Sequence, residues 1–314
     1  MMDVVLRADH KILGALNLEG TNYFKESLVQ PGGCGNVAAS TSYLGGRVAL
    51  IGRAGDDAYG KGYIRDLKSR KIIPKINLDQ SSSTGVTVSI VEPGGHRTML
   101  VSRGANDKLT ADEAKKHFDE LGSSKFVYIS GYSLANSPQR DAILEIAHRA
   151  HHSGESIVVF DAASMNLIRS HRRLFASVIE SCDILCANLD EASVLADRLT
   201  VPDYVRNKSK NGRIVIVKMG ANGCLLGKDG KTIKISGYRV NSVDTTGAGD
   251  AFLGSLLYCL SRNIELEKAA SYGNWFASHI TTGLGPRHFP PRDRAARILK
   301  QIRNNNKIRR VLTT

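Results

Sequence analysis

Short runs of β-branched and other apolar residues alternate along the chain with longer stretches whose apolar positions recur at helical spacing. RVALIGRAG (47–55), KFVYISGY (125–132), SIVVFDAA (156–163), CDILCANLD (182–190) and GRIVIVKMG (212–220) are continuous apolar runs bounded by turn residues, which predicts buried strands. Helices are predicted over 57–70, 110–120, 137–153, 171–180 and 190–199, the third with Pro138 at its first helical position. This alternation implies an α/β fold, a doubly wound, mostly parallel sheet whose ligands lie at the carboxyl ends of its strands. Residues 10–30 and 83–106 break the rhythm. Both read as β-rich, the second as a hairpin turning at EPGG (92–95), and they predict a small β-sheet lid on the α/β domain. No repeat and no low-complexity linker interrupts the pattern, so residues 1–314 read as one domain.

Composition changes this picture little. Hydrophobic content of 42% and charged content of 23% exclude a disordered or fibrous chain. A signal peptide and an apolar run of about 18 residues are both missing, so a membrane span is not expected and the cytoplasm is the expected location. The five cysteines (Cys34, Cys182, Cys186, Cys224, Cys259) are scattered without a CxxC pair, which argues against a disulfide framework or a zinc site. His151 and His152 are adjacent and cannot share one helix face, so they read as a solvated helix end.

The net charge of +13 is concentrated near the end. From Arg287 onward nine Lys/Arg stand against Asp293 alone, a net +8. Such a tail could hold nucleic acid or an acidic membrane through phosphate contacts. With no aromatic residue interleaved beyond Phe289, a helix with a frayed basic end at about 303–314 is the plainer reading.

Two glycine-bearing segments are decoys. GDDAYGKG (55–62) matches a P-loop until Gly62, where magnesium binding needs Ser or Thr; Asp56 or Asp57 capping the next helix explains it better. GCGNVA (33–38) fits the dinucleotide fingerprint, but the preceding KESLVQP ends in proline rather than supplying a buried strand.

DTTGAGDAF (244–252) carries more chemistry. Gly247 and Gly249 allow a tight turn that points several backbone N–H groups one way, at the positive end of the apolar helix that follows. An anion hole of this kind suits a transferring phosphoryl group, and Asp250 in the first helical turn is placed to take a proton from an attacking hydroxyl. On the motif alone, simple helix capping explains the same residues equally well.

Together these segments resemble the PfkB/ribokinase family of carbohydrate and nucleoside kinases. Asp244-Thr245-Thr246-Gly247-Ala248-Gly249-Asp250 matches the family's D-T-x-G-A-G-D signature, and Gly32, Gly33 and Asn36 in PGGCGNVAAS match its N-terminal glycine pair and asparagine. IGRAGDDAYG, GANDKLT (104–110, close to ribokinase), the N-x-x-E box from Asn188 to Glu191, VKMGANG (217–223) and a proline-closed loop at 283–290 extend the likeness over nearly the whole chain. The resemblance implies that Asp250 is the catalytic base and that Gly247, Ala248 and Gly249 form the anion hole. It implies that Asp3 binds sugar hydroxyls with Gly32, Gly33 and Asn36 beside it. Asn188 would approach the ATP phosphates, Glu191 would organise magnesium and its water, and Lys218, Gly220, Gly223 and Asn274 would line the nucleotide site. Asp244 and Thr246 would face K+ if a monovalent-ion site exists. The implied activity is transfer of the γ-phosphoryl group of Mg2+-bound ATP to a small sugar, ribose first and a nucleoside second; a catalytically silent binding protein is the rival, and pairing of two copies through the lid is an open possibility.

The chain also departs from the family pattern. The family begins with a hydrophobic strand of the G-D-x-x-x-D kind, whereas MMDVVLRADH places Asp3 where that strand should have ended, so coding sequence upstream is expected. The spacer from Gly33 to Asn36 is one residue short, and FDAAS (160–164) lacks the D-P-N-x-R of many ketodeoxygluconate kinases and fructokinases. ISGYS lacks the glutamate that ribokinase uses near its sugar. Lys218 replaces a threonine typical of ribokinase, and His288 stands near a serine that ribokinase offers toward its ion.

Overall fold

The first third of the chain is built from short strands and two helices: β1 (Met2–Arg7), β2 (Glu26–Pro31), α1 (Cys34–Tyr43), β3 (Ala49–Gly55), α2 (Ala58–Ser69), β4 (Ile73–Asp79), β5 (Val86–Val91) and β6 (Arg97–Ser102). The coordinates are a computed structural model that describes residues 1–8, 14, 19–93, 97–304 and 310–312, the last three as backbone only. A four-stranded sheet has the order β2-β1-β5-β6, with β1 antiparallel to β2 and parallel to β5, and β5 antiparallel to β6. It is the small sheet expected as the lid. The 83–106 hairpin supplies β5 and β6, its tip at 94–96 lying outside the described residues. Of the 10–30 segment, 10–13 and 15–18 lie outside them too, and β2 is the strand it contributes.

KESLVQP supplies no buried strand, as expected: it forms a strand without a buried residue at the sheet edge, where a terminal proline costs no ladder bond. One reading is corrected here. Asp3 lies within β1 rather than beyond a strand's end. β3 and β4 form a separate parallel pair, and Asp57 caps α2 by accepting from the Gly60 N–H at 2.8 Å.

The middle of the chain follows the predicted rhythm: α3 (Ala111–Leu121), β7 (Phe126–Ser130), α4 (Gln139–Ser153), β8 (Ile157–Asp161), α5 (Met165–Ser170), α6 (Arg172–Glu180), β9 (Ile184–Asn188), α7 (Leu189–Ala196), α8 (Val201–Lys208), β10 (Ile214–Lys218), β11 (Cys224–Lys228) and β12 (Lys231–Ile235). The chain ends with α9 (Ala248–Ser261), α10 (Leu266–Ile280), α11 (Arg292–Asn304) and β13 (Arg310–Leu312). Pro138 occupies the cap position of α4, one residue before the predicted place. A seven-stranded sheet runs β13-β12-β11-β10-β9-β8-β7, parallel from β7 to β10 and antiparallel from β10 to β13. Most of β8 and β9 is buried, and Phe160, Leu185 and Val217 pack with Ile168 and Phe175 of the covering helices.

The chain divides into two compact units. The first comprises Met1–Asn106, Arg239–Tyr258 and Trp275–Ile298; the second comprises Asp107–Tyr238, Cys259–Asn274 and Leu299–Thr314. All five cysteines are free thiols, and His151 and His152 are exposed at the end of α4. Among the described residues no helix is long and apolar enough to cross a membrane. Of the basic tail, 305–309 and 313–314 lie outside the described residues.

Candidate active site

In the first unit, the loop before α9 is folded by its own aspartate. Asp244 is fully buried; one carboxylate oxygen accepts from the N–H and hydroxyl of Thr246 at 2.8 and 2.6 Å, and the other accepts from Gly285 N–H at 2.8 Å. Gly247 has φ of 73°, and a Cβ there would lie 2.1 Å from Cβ of Pro286. Glycine is therefore required for two reasons, a left-handed backbone and an occupied space. With the loop so fixed, Ala248, Gly249 and Asp250 form the first turn of α9, where N–H groups lack intrahelical acceptors and the helix end is positive. Asp244 and Thr246, expected to face an ion, bond to each other and scaffold the loop.

The other predicted acceptor residues gather beside Asp250. Asn36 lies in the first turn of α1, 3% exposed, and its amide nitrogen stands 3.4 Å from an oxygen of Asp3 and 3.3 Å from an oxygen of Asp250. The short Gly33–Asn36 spacer thus still brings Asn36 to the two carboxylates. Gly32 sits against Asp3 so closely that a Cβ would fall 2.0 Å from the carboxylate, and the Tyr63 hydroxyl holds its carbonyl at 3.1 Å. Gly33 is the exposed cap residue of α1. Burial pushes the Asp3 carboxyl above its ordinary range, against the Asn36 hydrogen bond and the Arg287 charge, which favour its ionised form.

The second unit sets polar residues along the carboxyl ends of its parallel strands. Ser130, Asp161, Asn188 and Lys218 end β7, β8, β9 and β10, with Ser130 opposite Asp161 and Asn188 opposite Lys218 in register. Lys218 Nζ contacts both oxygens of Asp161 at 3.0 and 2.9 Å. Burial works against its charge, but the Asp161 carboxylate prevails and holds its pKa above the ordinary lysine value. Asn188 and Glu191 form a capping box: the Glu191 N–H donates to the Asn188 side chain at 2.8 Å, while the backbone and side-chain N–H groups of Asn188 donate to the two Glu191 oxygens at 2.8 and 2.7 Å. Burial raises the Glu191 pKa, as does Asp161, with Lys218 opposing. Gly220 and Gly223 bound the single turn after β10, closed by a 3.0 Å bond from Gly223 N–H to Gly220 carbonyl. Asn274, on α10 and 8% exposed, donates to the Ile235 and Ser236 carbonyls at 3.3 and 3.2 Å, tying α10 to the end of β12.

Two participants carried no signal in the sequence reading. Asp161 is the counter-ion of Lys218, and Arg287, counted there only as tail charge, donates to Asn36 at 3.2 Å and to Asp66 at 2.6 Å. No metal-binding group of three or more His, Cys, Asp or Glu residues exists among the described residues. Both Glu191 oxygens are already hydrogen-bonded, so this residue fits the ordering of water around a phosphate-bound cation better than direct ligation.

A model of the pfkB family of carbohydrate kinases matches residues 1–293. Ribokinase of Bacillus subtilis is 25% identical over 285 residues, spanning 90% of this chain and 91% of that protein. The structure of adenosine kinase from Sinorhizobium meliloti shares the fold with a TM-score of 0.86 at 23% identity, covering 95% of this chain and 96% of that one. A structure of an E. coli protein assigned as ribokinase II, in complex with ATP and Mg2+, gives a TM-score of 0.81 at 22% identity, covering 96% of each chain.

Proposed function

The chain belongs to the pfkB family of carbohydrate kinases, and from that premise we propose that it moves the γ-phosphoryl group of Mg2+-bound ATP to a hydroxyl of a small sugar, ribose first. The coarse activity, a phosphotransferase acting on a sugar or nucleoside, comes with the family; the acceptor and the residue roles are the proposal. What supports it is the single amide of Asn36 held between Asp3 and Asp250 at the start of α9. Asp3 would hold acceptor hydroxyls, for which carboxylate oxygens are strong acceptors. Asp250 would accept the proton of the attacking hydroxyl, and the N–H groups of Gly247, Ala248 and Gly249 would face the migrating phosphoryl oxygens.

Mg2+ enters as part of the nucleotide substrate and neutralises its phosphate oxygens. In the second unit, Asn188, Lys218, Gly220 and Gly223 would hold ATP, with Glu191 orienting water near the cation. Asn274 would shape that site through its hold on β12. Because the hydroxyl's proton leaves late in a loose transition state, a carboxylate of ordinary basicity is a sufficient acceptor. Ribose leads because GANDKLT (104–110) is close to ribokinase, and a B. subtilis ribokinase aligns over most of the chain. K+ is no part of this proposal; the hydrogen bonds that Asp244 accepts hold the loop itself.

The test is ADP release from Mg2+-ATP in the presence of ribose, fructose, adenosine, inosine or cytidine, compared with the same assay of Asp250→Asn. Release that depends on ribose and falls by about 100-fold or more in the variant is the expected result. Turnover that persists in Asp250→Asn removes the base assignment, and turnover with a nucleoside alone replaces the acceptor.

A further inference from the structure

Three consecutive residues of the loop after α10 each grip one part of the candidate site. The Gly285 N–H donates to Asp244, Pro286 fills the space beside Gly247, and Arg287 donates to Asn36. We infer that Arg287 is a positioning residue for the phosphoryl transfer: it fixes the amide of Asn36 so that N–H groups, and not the carbonyl, face Asp3 and Asp250.

The donor inventory forces this orientation. A guanidinium has only donors, so the Asn36 group at 3.2 Å from Arg287 Nε must be the carbonyl oxygen. The amide nitrogen then falls 3.4 Å from Asp3 and 3.3 Å from Asp250. With the amide reversed, N–H would oppose guanidinium and the carbonyl would oppose two carboxylates, unfavourable at every contact. Arg287 cannot swing away to permit that, because Nη1 is 2.6 Å from Asp66 of α2 and its side chain is 4% exposed. A guanidinium bonded to the carbonyl also polarises the amide, strengthening its N–H donation to the carboxylates.

The contacts at 3.3–3.4 Å are long for hydrogen bonds, and such bonds at catalytic groups commonly tighten when substrate arrives. A fixed amide therefore sets where Asp250 waits. Arg287 touches neither reacting atom in this account; it acts through Asn36. The inference rests on the proposed role of Asp250 for its catalytic consequence, but not for the brace itself, so two readouts separate them.

The first readout is NMR of selectively 15N-Asn-labelled full-length protein. In the wild type the Asn36 side-chain amide protons are expected to exchange slowly with water; in Arg287→Met they are expected to exchange at least tenfold faster. Unchanged exchange overturns the brace, whatever the protein's activity. The second is a double-mutant cycle of kcat/KM with the acceptor that supports ADP release, using Arg287→Met, Asn36→Ala and the double variant. Arg287→Met is expected to lose at least tenfold in the native background and less than threefold when Asn36 is already alanine. Equal losses in both backgrounds would mean a merely structural arginine and would overturn the positioning role. Should Arg287→Met fold poorly, Arg287→Lys serves in the same cycle: an ammonium lacks the rigid fork that holds Asn36 and Asp66 together, so the same non-additivity is expected, and its absence again refutes the role.

Discussion

Gly247 concentrates the demands on the 244–250 loop in one α-carbon. Its φ of 73° is a left-handed value, and Pro286 occupies the position a side chain would take. Alanine there adds a left-handed strain of about 1–2 kcal/mol and an overpacking penalty of about 1–3 kcal/mol. Gly247→Ala should therefore lower unfolding free energy by at least about 2 kcal/mol in urea titration, and reduce kcat by at least about 100-fold, as the amides beside it turn away. Wild-type stability together with wild-type kcat would show that the turn tolerates a side chain and is not the anion hole. The same scale explains what a reading of residue types can reach. DTTGAGD announced itself because its glycines, threonines and aspartates act within seven consecutive positions. The alliance of Asn36 with Asp250 spans 214 positions, and that with Arg287 spans 251, so no local pattern contains it.

Among the elements, the ends of β8 and β10 form a buried charge pair that can be tested by breaking it in two ways. The side chains of Lys218 and Asp161 are 16% and 7% exposed, and Glu191 adds a second carboxylate nearby. Lys218→Met alone would leave those carboxylates facing each other with no cation, at a cost of about 3 kcal/mol in chemical denaturation. Lys218→Met with Asp161→Asn should cost clearly less than the single change, because no unpaired charge remains. If the double variant is the less stable, the pair is a net stabiliser and the argument from desolvation fails. The strands that carry this pair were legible from continuous apolar runs, since burial on both faces leaves little room for polar residues. Others were less so. β4 holds Pro74 and an uneven pattern, and β11 and β12 were missed although Asp229-Gly230 between them, both at positive φ, is a two-residue hairpin turn. α5 is too short, at 6 residues, to build a clear helical period.

At the scale of the whole molecule, the candidate site residues fall into both compact units: Asp3, Asn36 and Asp250 in the first, Asp161, Asn188, Glu191 and Lys218 in the second. The proposed function assigns these two groups different ligands, the acceptor to the first and the nucleotide to the second. A ligand that binds only the native state stabilises it by about 2.7 kcal/mol at 100 times its Kd, which slows hydrogen exchange by about 100-fold wherever opening must destroy the site. Hydrogen exchange should therefore resolve the two ligands along the chain. The acceptor sugar alone is expected to protect β1 and the first turn of α1, where Asp3 and Asn36 reside. A non-hydrolysable ATP analogue with Mg2+ is expected to protect 186–191 and 218–223 instead, because those amides belong to the capping box of α7 and the turn after β10. Protection of β1 and α1 by the analogue, with 186–191 and 218–223 unchanged, would exchange the two assignments. It would leave the charge pair of β8 and β10 as a structural feature, since a nucleotide held elsewhere gives Lys218 no phosphate to meet.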